Sequence, residues 1–160
     1  MDHSDIVDMI NTDPSIQKLI TDPIHMRIGY TGLDGFPRCV PVSYLWNGKA
    51  FAFASPTWAY KVRALTAHPE VAFTVDTNTF WPLTMIVRGT ASIEVRPGVP
   101  EEHIEASRRH IDPDQFDEWL RAKRESLTEM AVISIVPTHI RVMDWDTRFP
   151  PGYDEQILTP

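Results

Sequence analysis

Cysteine is nearly absent from this chain and long apolar runs are missing altogether, and both features narrow the class of protein. Cys39 is the only cysteine among 160 residues, so the chain can form no internal disulfide and no cysteine-based zinc site. No segment approaches the roughly 18 apolar residues of a membrane-spanning helix, and the acidic start of the chain lacks the apolar centre of a signal peptide. We therefore expect a cytoplasmic protein that has no membrane partner.

Positive charge is also scarce. The chain has 15 Lys and Arg against 22 Asp and Glu, which gives a formal net charge of −7. A field of this sign repels nucleic acids and anionic membranes, so we expect neither as a partner, whereas a local basic pocket is compatible with it. The six histidines are scattered and form no close cluster with carboxylates, so we expect no metal site. Glycine-rich phosphate loops and serine-nucleophile motifs are missing as well.

Alternating apolar and polar side chains predict a mainly β protein with a single domain over residues 1–160. Asn47-Gly48 is a strong hairpin signal, because both residues tolerate the positive φ of a tight turn. The first three strands should therefore form a meander, and six strands in all predict a small closed or partly open antiparallel barrel. The predicted strands cover residues 24–30, 36–46, 51–55, 71–76, 84–95 and 131–142.

Helices are predicted around this barrel, and the last strand is predicted to bend. Two short helices, 4–12 and 14–20, lie in the N-terminal segment 1–21, a third covers 101–110, and a fourth begins at Asp112-Pro113. In the last strand the apolar positions change phase after Pro137, which indicates a bend there. The tail at 150–160 has few apolar residues to hold it.

The stretch 51–76 reads as a strand, a helix and a second strand. Ser55 or Thr57 is the expected N-cap of the helix, and Lys61 and Arg63 follow within its first turns. Free backbone N–H groups, the positive end of the helix dipole and two cationic side chains suit a phosphate. A solvated basic helix face is the alternative. The predicted buried stripe of this helix consists of Trp58, Val62 and Leu65.

Arg38 and the loop Phe80-Trp81-Pro82 each have more than one interpretation from the sequence alone. Arg38 shares a strand face with Val40, and an arginine beside an apolar face needs an anion, a carboxylate or access to solvent. Phe80-Trp81-Pro82 lies in a loop rather than in a periodic element. These aromatic side chains are expected to cover a flat ring, to fill a dimer interface or simply to pack.

Three segments in order resemble the pyridoxamine-phosphate-oxidase-like split-barrel family. They are RCVPVSYLWNGKAFAFAS, KVRALTAHPEVAFTVD and MIVRGTASIE, and the resemblance covers roughly residues 24–145. It implies a six-stranded antiparallel split β-barrel with peripheral helices, a homodimer, and a flavin-type cofactor bound at the subunit interface. FMN is the first expectation for the cofactor, and the deazaflavin coenzyme is close behind.

The resemblance also implies roles for individual residues. Arg38 falls where the family places an arginine near the cofactor, and Val40 and Pro41 fall where backbone lines the flavin ring. Lys61 matches the family's phosphate-binding lysine. The turn that meets the cofactor would contain Ser55 and Thr57.

The chain also departs from the family pattern. Tyr60 stands where the oxidases often have an arginine, so Arg63 is the candidate replacement, and Thr84 stands where a glutamine commonly contacts the flavin. The arginine-rich end that holds pyridoxal phosphate in those oxidases is not matched by 141–150.

The resemblance implies an oxidoreductase that transfers a hydride between FMN or a deazaflavin and a small organic substrate. The alternatives are a carrier that binds such a cofactor or an apolar ligand without turnover, and a structural barrel with an empty groove. No side chain stands out from the sequence as a catalytic acid or base.

Overall fold

The computed structural model describes residues 1–148, which form one antiparallel sheet and five helices. The predicted tail at 150–160 lies outside the described residues. The strands are β1 (Met26–Thr31), β2 (Pro37–Val42), β3 (Leu45–Trp46), β4 (Phe51–Ser55), β5 (Glu70–Asp76), β6 (Leu83–Pro97) and β7 (Glu129–Asp144). The helices are α1 (His3–Thr12), α2 (Pro14–Thr21), α3 (Tyr60–Ala67), α4 (Glu101–Arg108) and α5 (Pro113–Ser126). No helix among residues 1–148 is both long and apolar enough to cross a membrane.

The sheet is strongly curled, which confirms the predicted mainly β split barrel. Its strand order is β2-β1-β5-β6-β7-β4-β3, so the two outermost strands are β2 and β3. Only Ser43 and Tyr44 connect them, and three Cα steps reach at most about 11 Å. Six strand spacings in a flat sheet would separate the same strands by about 28 Å. The sheet must therefore curl until its two edges approach each other.

Seven strands are present within residues 1–148 where six were predicted. The difference lies in the predicted strand 36–46, which is interrupted at Tyr44. That side chain is fully buried, its hydroxyl bonds the Leu19 carbonyl at 3.3 Å, and its own carbonyl accepts a hydrogen bond from Arg109. Residues 36–46 still pair with the strand before them and the strand after them, as in a meander. The two halves divide this pairing, because β2 pairs with β1 and β3 pairs with β4.

The core lies on the concave face of the curled sheet and beneath the first two helices. One row of paired residues crosses four strands, namely Ile28, Phe73, Val87 and Ile140, and all four are buried. The buried side chains of α1 and α2 cover the same cluster. Burying each such side chain stabilises the folded state by about 1.5 to 3 kcal/mol. Burial of the alternating apolar side chains is therefore the main contribution to the stability of the sheet.

The bend predicted in the last strand is a β-bulge. Arg88 pairs with His139 and Gly89 pairs with Pro137, which leaves Thr138 as an extra residue in β7. One inserted residue moves every later side chain to the opposite face. For this reason the buried positions of β7 change from Ile133 and Ile135 to Ile140.

The four helices predicted around the barrel are present with bounds close to those expected. Asp13 accepts hydrogen bonds from the backbone at the start of α2, and Asp112 accepts one at 3.0 Å from the Asp114 N–H at the start of α5. Both are followed directly by proline, which suits the first helical position because its missing N–H would have no partner there. Their sequence signals are local, and this is why they could be identified.

Candidate functional site

The start of α3 differs from the sequence prediction. The helix begins at Tyr60 after Ala59, and no side chain caps it, so the prediction of Ser55 or Thr57 as N-cap is wrong. Ser55 is the last residue of β4, and the Thr57 hydroxyl instead lies 3.3 Å from a carboxylate oxygen of Glu129. The Val62 N–H bonds the Ala59 carbonyl at 3.0 Å, so among the described residues the Tyr60 and Lys61 N–H groups are the ones that remain for another acceptor, as at anion-binding helix ends.

The predicted buried stripe of α3 is only partly correct. Val62 and Leu65 are buried, as expected. Trp58 lies before the helix and is 76% exposed, so the prediction that it packs inward is wrong. The helical spacing that placed it on the stripe does not apply to a residue in a turn.

Lys61 is a half-buried cation. Its ammonium donates a hydrogen bond of 3.2 Å to the hydroxyl of Ser55, which is only 4% exposed. Burial lowers the pKa of Lys61, because removing water disfavours the charged form. No carboxylate within residues 1–148 forms an ion pair with it. A desolvated ammonium beside an uncapped helix start is a suitable partner for an anion.

Arg38 already has protein partners. Its guanidinium donates to the Asp34 carboxylate at 2.8 Å and to the Phe36 carbonyl at 3.2 Å. The hydrogen bond from Arg38 lowers the pKa of Asp34. The sequence left open whether this arginine meets an anion, a carboxylate or solvent, and the structure shows that it meets the carboxylate of Asp34.

Tyr60 links Arg38 to α3. The guanidinium carbons of Arg38 and Arg63 lie 5.5 and 5.8 Å from the centre of its ring, and its hydroxyl accepts a 2.8 Å hydrogen bond from the Leu33 N–H. Arg63 stands two positions after Lys61, and side chains at this spacing do not share a helix face. The structure thus brings Arg63 to Tyr60, while Lys61 reaches Ser55.

Val40 and Pro41 lie on an open strand edge. They pair with Ile28 and Arg27 of β1, and β2 is the outermost strand of the sheet. Half of the backbone groups of an outermost strand point away from its neighbour and are free to bond a ligand. Pro41 can supply only a carbonyl, since proline has no N–H.

Thr84 lies far from Arg38 along the direction of the strands. It pairs with Asp76 on β5, whereas Arg38 pairs with Tyr30, which in turn pairs with Val71. The five residue steps from Val71 to Asp76 correspond to about 17 Å along the strand. Within one chain, Thr84 and the group formed by Arg38, Tyr60 and Lys61 therefore belong to opposite ends of the sheet.

An aromatic loop stands beside Thr84. Phe80 is 88% exposed and Trp81 51% exposed, with 4.8 Å between their ring centres. Simple packing, one of three interpretations offered above, is therefore wrong for these rings. Trp81 also has a φ of 62°, a left-handed conformation that costs energy for a large side chain. Its positive φ could not be read from the sequence.

The curled open sheet and the helix α3 that follows its fourth strand define a protein of the split-barrel fold. The chain belongs to the pyridoxamine 5'-phosphate oxidase family, whose model matches residues 12–144. No curated protein matches the chain by sequence.

Solved structures of several proteins share this fold. An F420 reductase has a TM-score of 0.61 at 20% identity, covering 78% of this chain and 94% of its own. HutZ, a heme storage protein from Vibrio cholerae, has a TM-score of 0.60 at 14% identity, covering 82% and 93%. General Stress Protein 26 from Bacillus anthracis has a TM-score of 0.58 at 16% identity, covering 81% and 91%. At these identities the likeness concerns the fold alone.

Proposed function

We propose that this protein is a cytoplasmic oxidoreductase that binds FMN or the deazaflavin coenzyme and transfers a hydride between that cofactor and a small organic substrate. One observation carries the proposal. Lys61 is a half-buried ammonium with no carboxylate partner among residues 1–148, and it stands at the uncapped start of α3. Membership in a family of flavin-binding split barrels supports the choice of cofactor.

The cofactor phosphate is assigned to the side chains of Lys61 and Ser55 and to the N–H groups of Tyr60 and Lys61 at the start of α3. The ammonium would gain a charge-assisted hydrogen bond and lose the cost of its unpaired burial. The free edge of β2 would then orient the ring through backbone groups near Val40 and Pro41. The bound cofactor supplies the hydride chemistry, and the protein supplies position, orientation and shelter from water.

The proposal includes a homodimer. Thr84 and Lys61 lie at opposite ends of the sheet within one protomer, so a cofactor that contacts both requires a second copy. In such an arrangement the Lys61 end of one protomer would face the Thr84 end of its partner. Exposed rings at both ends, Trp58 and Phe80, suit an interface of this kind.

A non-catalytic carrier is the second candidate. It is favoured by the likeness to a heme storage protein at a TM-score of 0.60, which is close to the value for the F420 reductase. The two candidates differ in turnover and not in the location of the site. A carrier would bind the cofactor tightly without exchanging electrons with an added substrate.

Calorimetric titration with FMN and with the deazaflavin coenzyme tests the phosphate assignment. Lys61→Met keeps the aliphatic stem and removes the charge, so it should weaken cofactor binding by on the order of 1 to 3 kcal/mol, or roughly 5 to 150-fold. Lys49→Met is the matched control, because Lys49 is exposed in the turn before β4. Riboflavin, which lacks the phosphate, should bind wild type and Lys61→Met equally.

Unchanged affinity of Lys61→Met for both cofactors would place the phosphate elsewhere and remove the basis of the proposal. A protein that binds neither cofactor would contradict the enzyme and the carrier alike. If a cofactor binds, its visible spectrum separates the two candidates. If the bound cofactor is reduced and is then reoxidised by an organic acceptor, the oxidoreductase is supported. If the spectrum of the bound cofactor does not change under these conditions, the carrier is supported.

A further inference from the structure

A cavity of about 390 Å³ lies between α2, β3 and α4, and we call it the α2–α4 cavity. Ile20, Leu45 and Trp46 give it an apolar wall, and Arg109 gives it a cation. None of the described residues that line it belongs to the proposed cofactor site or carries one of the exposed rings assigned to the dimer interface. A cavity of this size is within the range of small-molecule binding sites.

The Trp46 ring is held in place on the wall of the cavity. Its Nε1–H donates a hydrogen bond of 2.7 Å to the Asn11 side chain, and its ring centre lies 4.7 Å from that of the buried Phe51. Ile20 and Leu45 belong to α2 and β3, which are regular elements. The apolar wall is therefore formed without a ligand, and this lowers the ordering cost of binding.

Arg109 is a half-buried cation without a carboxylate. Its guanidinium donates hydrogen bonds to the backbone carbonyls of Ile20, Asp22 and Tyr44. No carboxylate within residues 1–148 forms an ion pair with it. Three carbonyls use at most three of the five N–H groups of a guanidinium, so other N–H groups remain for an anion. Such a cation favours a ligand that brings a negative charge.

The other two charged side chains of the cavity neutralise each other. The Arg108 guanidinium bonds the Glu105 carboxylate at 3.1 Å and lies 4.2 Å from the centre of the Phe116 ring. Two arginines and one glutamate therefore give the lining a net charge of +1, in a chain whose formal net charge is −7. The charge that lacks a partner is that of Arg109.

We propose that the α2–α4 cavity binds a small carboxylic acid with an apolar body. The carboxylate contacts Arg109, and the apolar body contacts Ile20, Leu45 and Trp46. A neutral apolar molecule would leave the charge of Arg109 without a partner, and a small inorganic anion would leave the apolar wall uncovered. This site shares no residue with the proposed cofactor site, so it goes beyond the proposed function and can be tested alone.

The charge requirement is tested with phenylacetate and phenylacetamide, titrated by calorimetry into the full chain. The two probes have the same ring and nearly the same size, and they differ in charge. Phenylacetate should bind at least about 5-fold more tightly, because a charge-assisted hydrogen bond is roughly twice as strong as a neutral one.

Glu105→Gln tests the sign of the effect. It removes the one acid of the lining and releases Arg108, so it should tighten phenylacetate binding and leave phenylacetamide binding unchanged. Glu118→Gln, at an exposed position of α5, is the matched control and should change neither. Arg109 is kept in these variants, because replacing it would also remove the partner of three carbonyls.

Thr21→Phe tests the location. Thr21 lines the cavity, and its hydroxyl bonds the Gln17 carbonyl of its own helix, so a phenyl ring there should occupy the space and abolish phenylacetate binding. Thr66→Phe is the matched control, because Thr66 is exposed on α3 and its hydroxyl makes the same bond to the Val62 carbonyl. Circular dichroism confirms that each variant is folded.

Equal affinity of wild type for the two probes, or no binding of either, overturns the inference, because Arg109 would then serve only to hold three carbonyls. Phenylacetate binding that survives Thr21→Phe overturns it as well, since the acid would bind elsewhere. The proposed function fails independently. Thr21→Phe should leave FMN affinity unchanged, and a chain that binds phenylacetate but neither cofactor would contradict only the proposed function.

Discussion

Lys61 is the residue at which stability and the proposed function oppose each other. Its ammonium is half-buried beside a neutral hydroxyl, and burial lowers its pKa. The folded state therefore disfavours the charged form, and this cost is present at every pH below the lowered pKa. The cost disappears as the pH rises toward 10.5, the usual pKa of lysine, because the side chain is then neutral in both states.

Lys61→Met should accordingly be at least as stable as wild type at about pH 7, and its advantage should shrink at about pH 9.5. Urea denaturation at the two pH values, with Lys49→Met as the control, measures the difference. A Lys61→Met variant that loses more than about 1 kcal/mol at neutral pH would show that the ammonium stabilises the fold, contrary to this expectation.

His110 is a second residue with an unusual environment. Its ring stacks on that of His25 with centres 3.9 Å apart, and its Nε2 is buried with no hydrogen-bond partner among the described residues. Burial, followed by the charges of His25 and Arg109, lowers the pKa of His110 to about 4. Protonation therefore favours the unfolded state, and stability is lost as the pH falls from 6.5, the usual value, toward about 4.

His110→Phe should keep the ring stack and remove this proton linkage. The stability of wild type relative to His110→Phe should decline between about pH 6.5 and 4 and then level off. Thermal denaturation across this range provides the measurement, and His139→Phe, at an exposed position, is the control. Parallel stability curves for wild type and His110→Phe would contradict the assignment.

At the scale of elements, the bulge in β7 depends on close contact with β6. A Cβ on Gly89 would lie 2.5 Å from the Val136 carbonyl oxygen and 2.7 Å from a methyl carbon of Ile135. Backbone atoms cannot move away without disturbing the pairing of the two longest strands. Gly29 in β1 makes a useful comparison, because its nearest contact is 3.5 Å, an ordinary van der Waals distance.

Gly89→Ala should therefore destabilise the protein by about 1 to 3 kcal/mol, the usual cost of overpacking. Gly29→Ala should change stability by less than about 1 kcal/mol, because glycine and alanine differ little where a Cβ fits. Urea denaturation of both variants measures this contrast. Equal effects would mean that β6 and β7 can separate locally, and the bulge would then not require glycine.

At the scale of the whole molecule, the curl of the sheet leaves the two parts of the proposed cofactor site at opposite ends. This separation and the exposed rings at both ends are the observations on which the proposed homodimer rests. Light scattering should give twice the monomer mass of 18.3 kDa at micromolar concentration. Phe80→Ser combined with Trp81→Ser should weaken the dimer and cofactor binding together, whereas a monomeric wild type would remove the interfacial site from the proposal.

Local patterns in the sequence determined the strands, most helix ends and the bend at Pro137. Each of these depends on neighbours within a few residues: alternation for strands, Asp before Pro for helix starts, and a change of apolar phase for the bulge. The resemblance located Lys61, and the structure places it beside Ser55, half-buried and without a carboxylate partner among residues 1–148. These features could be predicted because the chain itself brings the relevant groups together.

Only the tertiary structure decided what the remaining site residues contact. The carboxylate that pairs with Arg38 is that of Asp34, the ring beside Arg63 is that of Tyr60, and Thr84 of β6 pairs with Asp76, the last residue of β5. Trp58 faces solvent because the helix starts after it, and Tyr44 divides one predicted strand because it fills the core. Contacts of this kind depend on how the sheet curls, and curling is set by packing between residues that are distant in the sequence.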